Sequence, residues 1–251
     1  ISLNEIKPGM KAYCLTEYSL AGIEKFSLDV IDVVRDLEAG KNVILVKGTD
    51  ERFIKTGPVA GCSGSPVYIE GRMAGALAYT WSYSKEPLYA ATPIEDMLGI
   101  DNTEKSPTSK TAALNYDFTV PVNFSRVNNS YKKSLAKLTK TSSGLNPLPS
   151  PLIASGISTQ FQEQLKSITE PLGLMVVSGG GISNTNEEEN SNVKLVPGAS
   201  LGVPLVSGDI KLSTMGTVTE VIGNKVYGFG HMLLGFGNVN LPIATGKVHT
   251  I

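Results

Sequence analysis

Glycine-punctuated runs of β-branched and aromatic residues set what this chain can become. Val67-Tyr68-Ile69 leads into Glu70-Gly71-Arg72 and then residues 73–80, a hairpin by its turn chemistry. Toward the other end, residues 216–222 (GTVTEVI) alternate, Gly223-Asn224 turns, and residues 225–230 (KVYGFG) return as the partner strand. Residues 26–34 and 42–46 (NVILV) read as further strands. With 26 Gly and 14 Pro in 251 residues, the chain suits many short strands joined by tight turns.

Three stretches differ in character. Residues 1–106 and 193–251 carry the strand–turn–strand grammar. Between them, 107–192 opens on a polar, Pro-containing linker at 106–110 and is expected to form a small α/β insertion. It holds a short basic segment at 130–140 that reads as a helix. Residues 158–168 (STQFQEQLKSI) form a second helix with Ser158 as its cap and Phe161, Leu165 and Ile168 at helical spacing. Residues 179–192 are a polar loop whose three glutamates read as a solvated tip and not as a metal site. Thr92-Pro93 followed by Glu95 predicts one more helix start, with Thr92 as N-cap.

Composition removes several function classes. An apolar fraction of 41% with 18% charged residues belongs to a folded chain. The net charge is −1 with no cluster of Lys or Arg, which speaks against nucleic-acid binding. No apolar run approaches the roughly 18–20 residues that span a bilayer, and the first residues do not read as a signal peptide.

The hexapeptide Gly61-Cys62-Ser63-Gly64-Ser65-Pro66 is the most informative stretch. A nucleophilic serine needs an exposed Oγ on a tight turn, with backbone N–H groups aimed at a developing oxyanion. Gly61 and Gly64 supply the unusual dihedrals such a turn requires, and Pro66 stiffens its exit. On its own the same peptide also reads as a plain Gly-Ser turn between strands. A phosphate loop fits less well, since no Lys follows and a strand, not a helix, comes next. The chain has two histidines, so a general base comes from a short list. His231 ends the strand at 225–230; His249 lies almost at the chain end.

Residues 61–80 (GCSGSPVYIEGRMAGALAYT) resemble the nucleophile region of trypsin-like peptidases. That resemblance implies Ser63 as nucleophile and an oxyanion hole from the N–H groups of Gly61 and Ser63. Residues 56–61 (TGPVAG) leading into Cys62-Ser63-Gly64 look like the serine motif of the stage IV sporulation protein B peptidases. Residues 216–219 (GTVT) with the hairpin that ends at His231 look like that family's histidine motif. Here the serine motif comes first, as in permuted exported relatives; the amino-terminal PDZ domain of the sporulation enzymes has no counterpart. Cys62 stands where Met is usual and Met232 where Pro is common. In those enzymes a Thr-Asp pair upstream of the serine supplies the acid, which implies Asp50 here. Asp209, in a Ser-Gly-Asp turn, is the rival; Asp96 fits the first turn of a helix.

The expectation is therefore a mainly β protein, a chymotrypsin-like double β-barrel with a small α/β insertion. Its parts would be a serine-bearing lobe at 1–106, the insertion at 107–192, and a histidine-bearing lobe at 193–251, cut short at its end or completed by the middle region. It would be a serine endopeptidase with Ser63, His231 and Asp50 as catalytic residues and no cofactor or metal. Its partner would be a protein or peptide substrate, its own chain among the candidates, in an exported location. A self-cleaving maturation domain and a non-catalytic binding module on the same scaffold are the alternatives. Cys14 and Cys62 allow one disulfide, which would tie the first strand to the nucleophile turn; two buried free thiols are the other reading.

Overall fold

A computed structural model describes residues 1–38, 40–57, 59–81, 84–100, 144–179, 194–233, 239–246 and 248–249. The predicted linker at 106–110, the basic segment at 130–140 and the glutamates of the polar loop lie outside these residues.

Six antiparallel strands close into a barrel. They are β1 (Lys11–Ser19), β2 (Gly22–Glu38), β3 (Lys41–Gly48), β4 (Pro66–Ile69), β5 (Arg72–Trp81) and β6 (Leu88–Pro93). The order is β4-β1-β2-β3-β6-β5, and β5 pairs back onto β4, so the barrel has no free edge along that path. The predicted hairpin is the β4–β5 connection. Ile69 faces Arg72, and both turn residues, Glu70 (φ 52) and Gly71 (φ 76), are left-handed, as the twist-matched two-residue turn demands.

Alternation decides the interior. Along β1, Ala12, Cys14, Thr16 and Tyr18 face inward while their neighbours are more exposed. Phe26, Leu28, Val30, Ile44, Val46, Val67, Ile69 and Leu77 fill the barrel with them. A short helix, α1 (Glu51–Thr56), presses Phe53 into this core, stacked on Phe26 at 4.6 Å and tilted against Tyr89 at 5.3 Å. Helix α2 (Ile94–Gly99) follows β6 directly, with Glu95 and Asp96 in its first turn. Thr92 is not its cap. Strand β6 continues through Pro93, and the Thr92 hydroxyl is turned to the carbonyl of Gly230 at 2.6 Å instead.

The second layer differs from the expected second barrel. Strands β8 (Ser150–Ser155), β9 (Leu174–Ser178), β10 (Ser200–Val206), β11 (Lys211–Ile222), β12 (Lys225–Gly228) and β13 (Ala244–Thr245) form an open mixed sheet. The physical reason lies in β8 and β9, which are parallel. A parallel pair needs a crossover, supplied by helix α3 (Thr159–Thr169), so these two strands cannot continue an antiparallel meander toward closure. Ser158 caps α3 as predicted, its hydroxyl accepting from Phe161 N–H. Residues 145–178 feed both layers: β7 (Leu145–Pro147) adds to β5 of the barrel, while β8 and β9 share a sheet with β10 and β11.

The aromatic plug gives a direct test of how the barrel holds together. Phe53→Ala should cost roughly 3–5 kcal/mol of unfolding free energy in a denaturant titration. Ile54→Ala, on the exposed side of the same helix, should change it by no more than about 0.5 kcal/mol.

Candidate active site

The turn between α1 and β4 is held from two sides. On the barrel side, Gly64 N–H donates to Leu77 O at 2.7 Å, Leu77 N–H donates to Ser65 O at 2.9 Å, and the Ser65 hydroxyl donates to Cys62 O at 2.7 Å. From the open sheet, β11 grips the same turn. Thr217 N–H donates to Ser63 O at 2.8 Å, the Thr217 hydroxyl to Gly61 O at 2.9 Å, and the Thr219 hydroxyl to Gly64 O at 2.7 Å. Residues i and i+2 of a strand face the same way, so Thr217 and Thr219 reach the turn together. Sequence reasoning gave them no role; their signal is a pair of hydroxyls on the buried face of β11.

Gly64 permits this meeting. Its φ of 94° is left-handed, and a Cβ there would strike the Thr217 carbonyl and the Phe229 amide, which are backbone and cannot rotate away.

Beyond β12 the chain bends sharply. Phe229 (φ 61) and Gly230 (φ 68) are both left-handed. For Phe229 this costs roughly 1–2 kcal/mol, offset by burial of its ring in the core of the open sheet, over Gly216. The bend points the Phe229 carbonyl at Ser63 Oγ (2.6 Å) and brings His231 Nε2 to the same oxygen (2.6 Å). His231 Nδ1 lies 2.9 Å from the carbonyl of its neighbour Met232.

One proton decides what this cluster can do. A carbonyl cannot donate, so the short Nδ1 contact requires a proton on Nδ1. Burial pushes the His231 pKa below its usual 6.5, backbone hydrogen bonds to Met232 and Leu148 work the other way, and the charge of Lys41 lowers it again. The neutral ring then leaves Nε2 as an acceptor beside Ser63 Oγ, whose hydroxyl donates to the Phe229 carbonyl and has only to rotate to reach Nε2. That is the tautomer a general base needs.

Other candidates are placed elsewhere. Asp50 is not brought to His231: it caps α1 by accepting from Arg52 N–H at 3.0 Å and pairs with the Arg52 guanidinium, which holds its carboxyl below the usual range. Asp96 sits in the first turn of α2, Asp209 in the bend between β10 and β11, and His249 is exposed. Of the two N–H groups expected to form an oxyanion hole, that of Gly61 already donates to Pro149 O at 3.2 Å, while Ser63 N–H makes no hydrogen bond among the described residues. Ser63 itself is fully buried. Cys14 and Cys62 are both free and buried; burial lifts the Cys62 thiol to about 12 and raises Cys14, so neither is a thiolate near neutral pH. Among the described residues no group of three or more His, Cys, Asp or Glu could hold a metal ion, and no helix is long and apolar enough to cross a membrane.

Residues 2–98 match the SpoIVB peptidase S55 family, so the chain carries a domain of that family there, and the family implies a serine peptidase. The match includes Ser63 and ends well before His231. No curated protein and no solved structure matches the chain.

Because Asp50 is occupied by the helix and Arg52, Asp50→Asn should keep the cap, lose the ion pair with Arg52 and cost no more than about 1 kcal/mol of stability. It should leave the rate of Ser63 modification by a serine-directed fluorophosphonate within about threefold. A fall of roughly 10⁴, the size expected for a triad acid, would instead give Asp50 the orienting role. Thr217→Val should slow that modification far more than it lowers stability, since it frees the Gly61 carbonyl beside the nucleophile.

Proposed function

We propose that the chain is a serine endopeptidase in which Ser63 is the nucleophile and His231 the general base. The observation that carries this reading is the 2.6 Å contact between Ser63 Oγ and His231 Nε2, formed by residues 168 positions apart. A match to a peptidase family over the serine-bearing barrel supports it independently.

In this reading Ser63 Oγ attacks the carbonyl carbon of the substrate peptide while its proton passes to His231 Nε2. The oxyanion of the tetrahedral intermediate lies against Ser63 N–H and, once Pro149 has moved off it, Gly61 N–H. The imidazolium returns its proton to the amide nitrogen, the C–N bond breaks, and an ester to Ser63 remains. Water then attacks the ester, giving its proton to Nε2, and the acid leaves as Ser63 regains its hydrogen.

His231 Nδ1–H donates throughout to the Met232 carbonyl. That oxygen orients the ring as a carboxylate would but carries only a partial charge, so it stabilises the imidazolium less. The site is thus a Ser63–His231 dyad with a backbone orienter. The Phe229 carbonyl, the second neighbour of Ser63 Oγ, fixes where the oxygen sits and competes for its proton.

Mass spectrometry after prolonged fluorophosphonate treatment should find an adduct at Ser63 in the wild type and none in Ser63→Ala or His231→Ala. No adduct at Ser63 in a folded wild type would sink the peptidase reading.

The pH dependence has a definite sign. With its pKa lowered by burial, His231 stays neutral below pH 6.5, so the acid limb of kcat/KM should inflect below that value. In the window beneath 6.5 the unfolded chain binds a proton that the folded one refuses, so stability should fall as pH drops through it. An inflection above 7 would mean that a carboxylate stabilises the imidazolium.

A further inference from the structure

Ser63 is fully buried, and a nucleophile with no exposure cannot meet a substrate from outside. Against the site lies a segment of the chain itself, residues 145–149. Leu145, Asn146 and Pro147 pair antiparallel with Trp81, Thr80 and Tyr79 at the end of β5, the strand that leaves the nucleophile hairpin. One residue on, Leu148 N–H donates to Ala78 O at 2.8 Å and the Leu148 side chain is fully buried. The Leu148 backbone also lies near the His231 ring, and Pro149 O takes the N–H of Gly61. Each of these is a contact that a bound peptide makes with a serine peptidase: main-chain pairing to a sheet edge, one buried side chain, and a carbonyl on an oxyanion donor.

The two leucines of the segment, three residues apart, pack into different clusters, Leu145 with Val43, Ala78 and Ala90 and Leu148 in the barrel core. Leu145 and Leu148 are buried while Pro147 between them is exposed. The donor engaged is Gly61 N–H and the carbonyl on it belongs to Pro149, one residue past the buried leucine, so the segment fills the groove without offering the carbonyl of Leu148 to that donor. Ser150, immediately after it and already in β8, has a buried hydroxyl with no partner among the described residues.

We propose that residues 145–149 occupy the peptide groove of this site as an internal ligand. The groove takes an extended peptide paired to β5 with aliphatic side chains three residues apart, and this segment must leave before another peptide enters. The proposal rests on the peptidase reading only for the fate of the bound peptide; occupancy of the groove is measurable without chemistry.

The test uses the full chain and a fluorescent hexapeptide, Leu-Asn-Pro-Leu-Pro-Ser, followed by anisotropy. The strand register places Asn146 opposite Thr80, two residues from the bonded Leu148–Ala78 pair, so alternation makes its N–H the next ladder donor. In a Ser63→Ala background, Asn146→Pro should bind the hexapeptide at least tenfold more tightly than the unaltered segment allows, and a hexapeptide with Asp for its second leucine should not bind. Equal affinity with and without Asn146→Pro, or equal binding of the Asp peptide, overturns the proposal.

With Ser63 intact, Asn146→Pro should speed fluorophosphonate labelling at least tenfold. Peptide binding without labelling keeps the groove and removes the peptidase; labelling without peptide binding does the reverse. Should Asn146→Pro fail to fold, amide hydrogen exchange on the wild type decides. The Leu148 amide should exchange at least 100-fold faster than the Leu77 amide, because the segment opens while the barrel stays closed. Exchange of both at one rate would make residues 145–149 plain core and overturn the inference.

Discussion

The backbone of β11 and of Phe229 occupies the space where Gly64 would carry a Cβ, and the geometry of the site follows from that close approach. Two layers that share no hairpin are locked together there. The barrel brings the serine turn, and the open sheet brings the strand that grips it and the bend that delivers the histidine. Any side chain at Gly64 would push the sheet off the turn, and His231 would leave with it. The three donors from Thr217 and Thr219 make the same junction stiff, because each satisfies a carbonyl of the turn that would otherwise be buried without a partner.

Rigidity on the barrel side has a different source. The six strands close on one another with β7 on the end of β5, and Phe53, Phe26 and Tyr89 pack as one aromatic cluster beneath α1. Asp50 serves that helix: its carboxylate caps the first turn and holds Arg52, whose guanidinium lies 3.9 Å over the Phe26 ring. The carboxylate that a resemblance assigns to chemistry caps the helix that the serine turn follows and pairs with Arg52. Burial then acts on every titratable group nearby in one sense, toward the neutral form. It raises both cysteine thiols and lowers His231, which leaves a neutral imidazole beside a neutral hydroxyl.

Local chemistry was legible where a feature depends on neighbours in the chain. The Glu70-Gly71 hairpin, the cap of α3 by Ser158 and the glycine-flanked serine turn all follow from residues within a few positions of one another. Reasoning from local pattern failed where distant chain competes for the same group. Thr92 has the grammar of a cap, but β6 runs on through Pro93 and its hydroxyl meets Gly230 from the other layer. The second barrel failed for a related reason: nothing in the periodicity of 150–155 and 174–178 says that these strands run parallel.

By itself the sequence determined that the chain is mainly β, where its two outer hairpins turn, and which serine and which histidines were candidates, because turn dihedrals and residue types are local properties. Only the tertiary structure decided that Ser63 and His231 meet, that a backbone carbonyl and not Asp50 holds Nδ1, and that Thr217 and Thr219 clamp the turn. Those are long-range contacts between two sheets, and their distances are fixed by where Gly64 lets one backbone approach another.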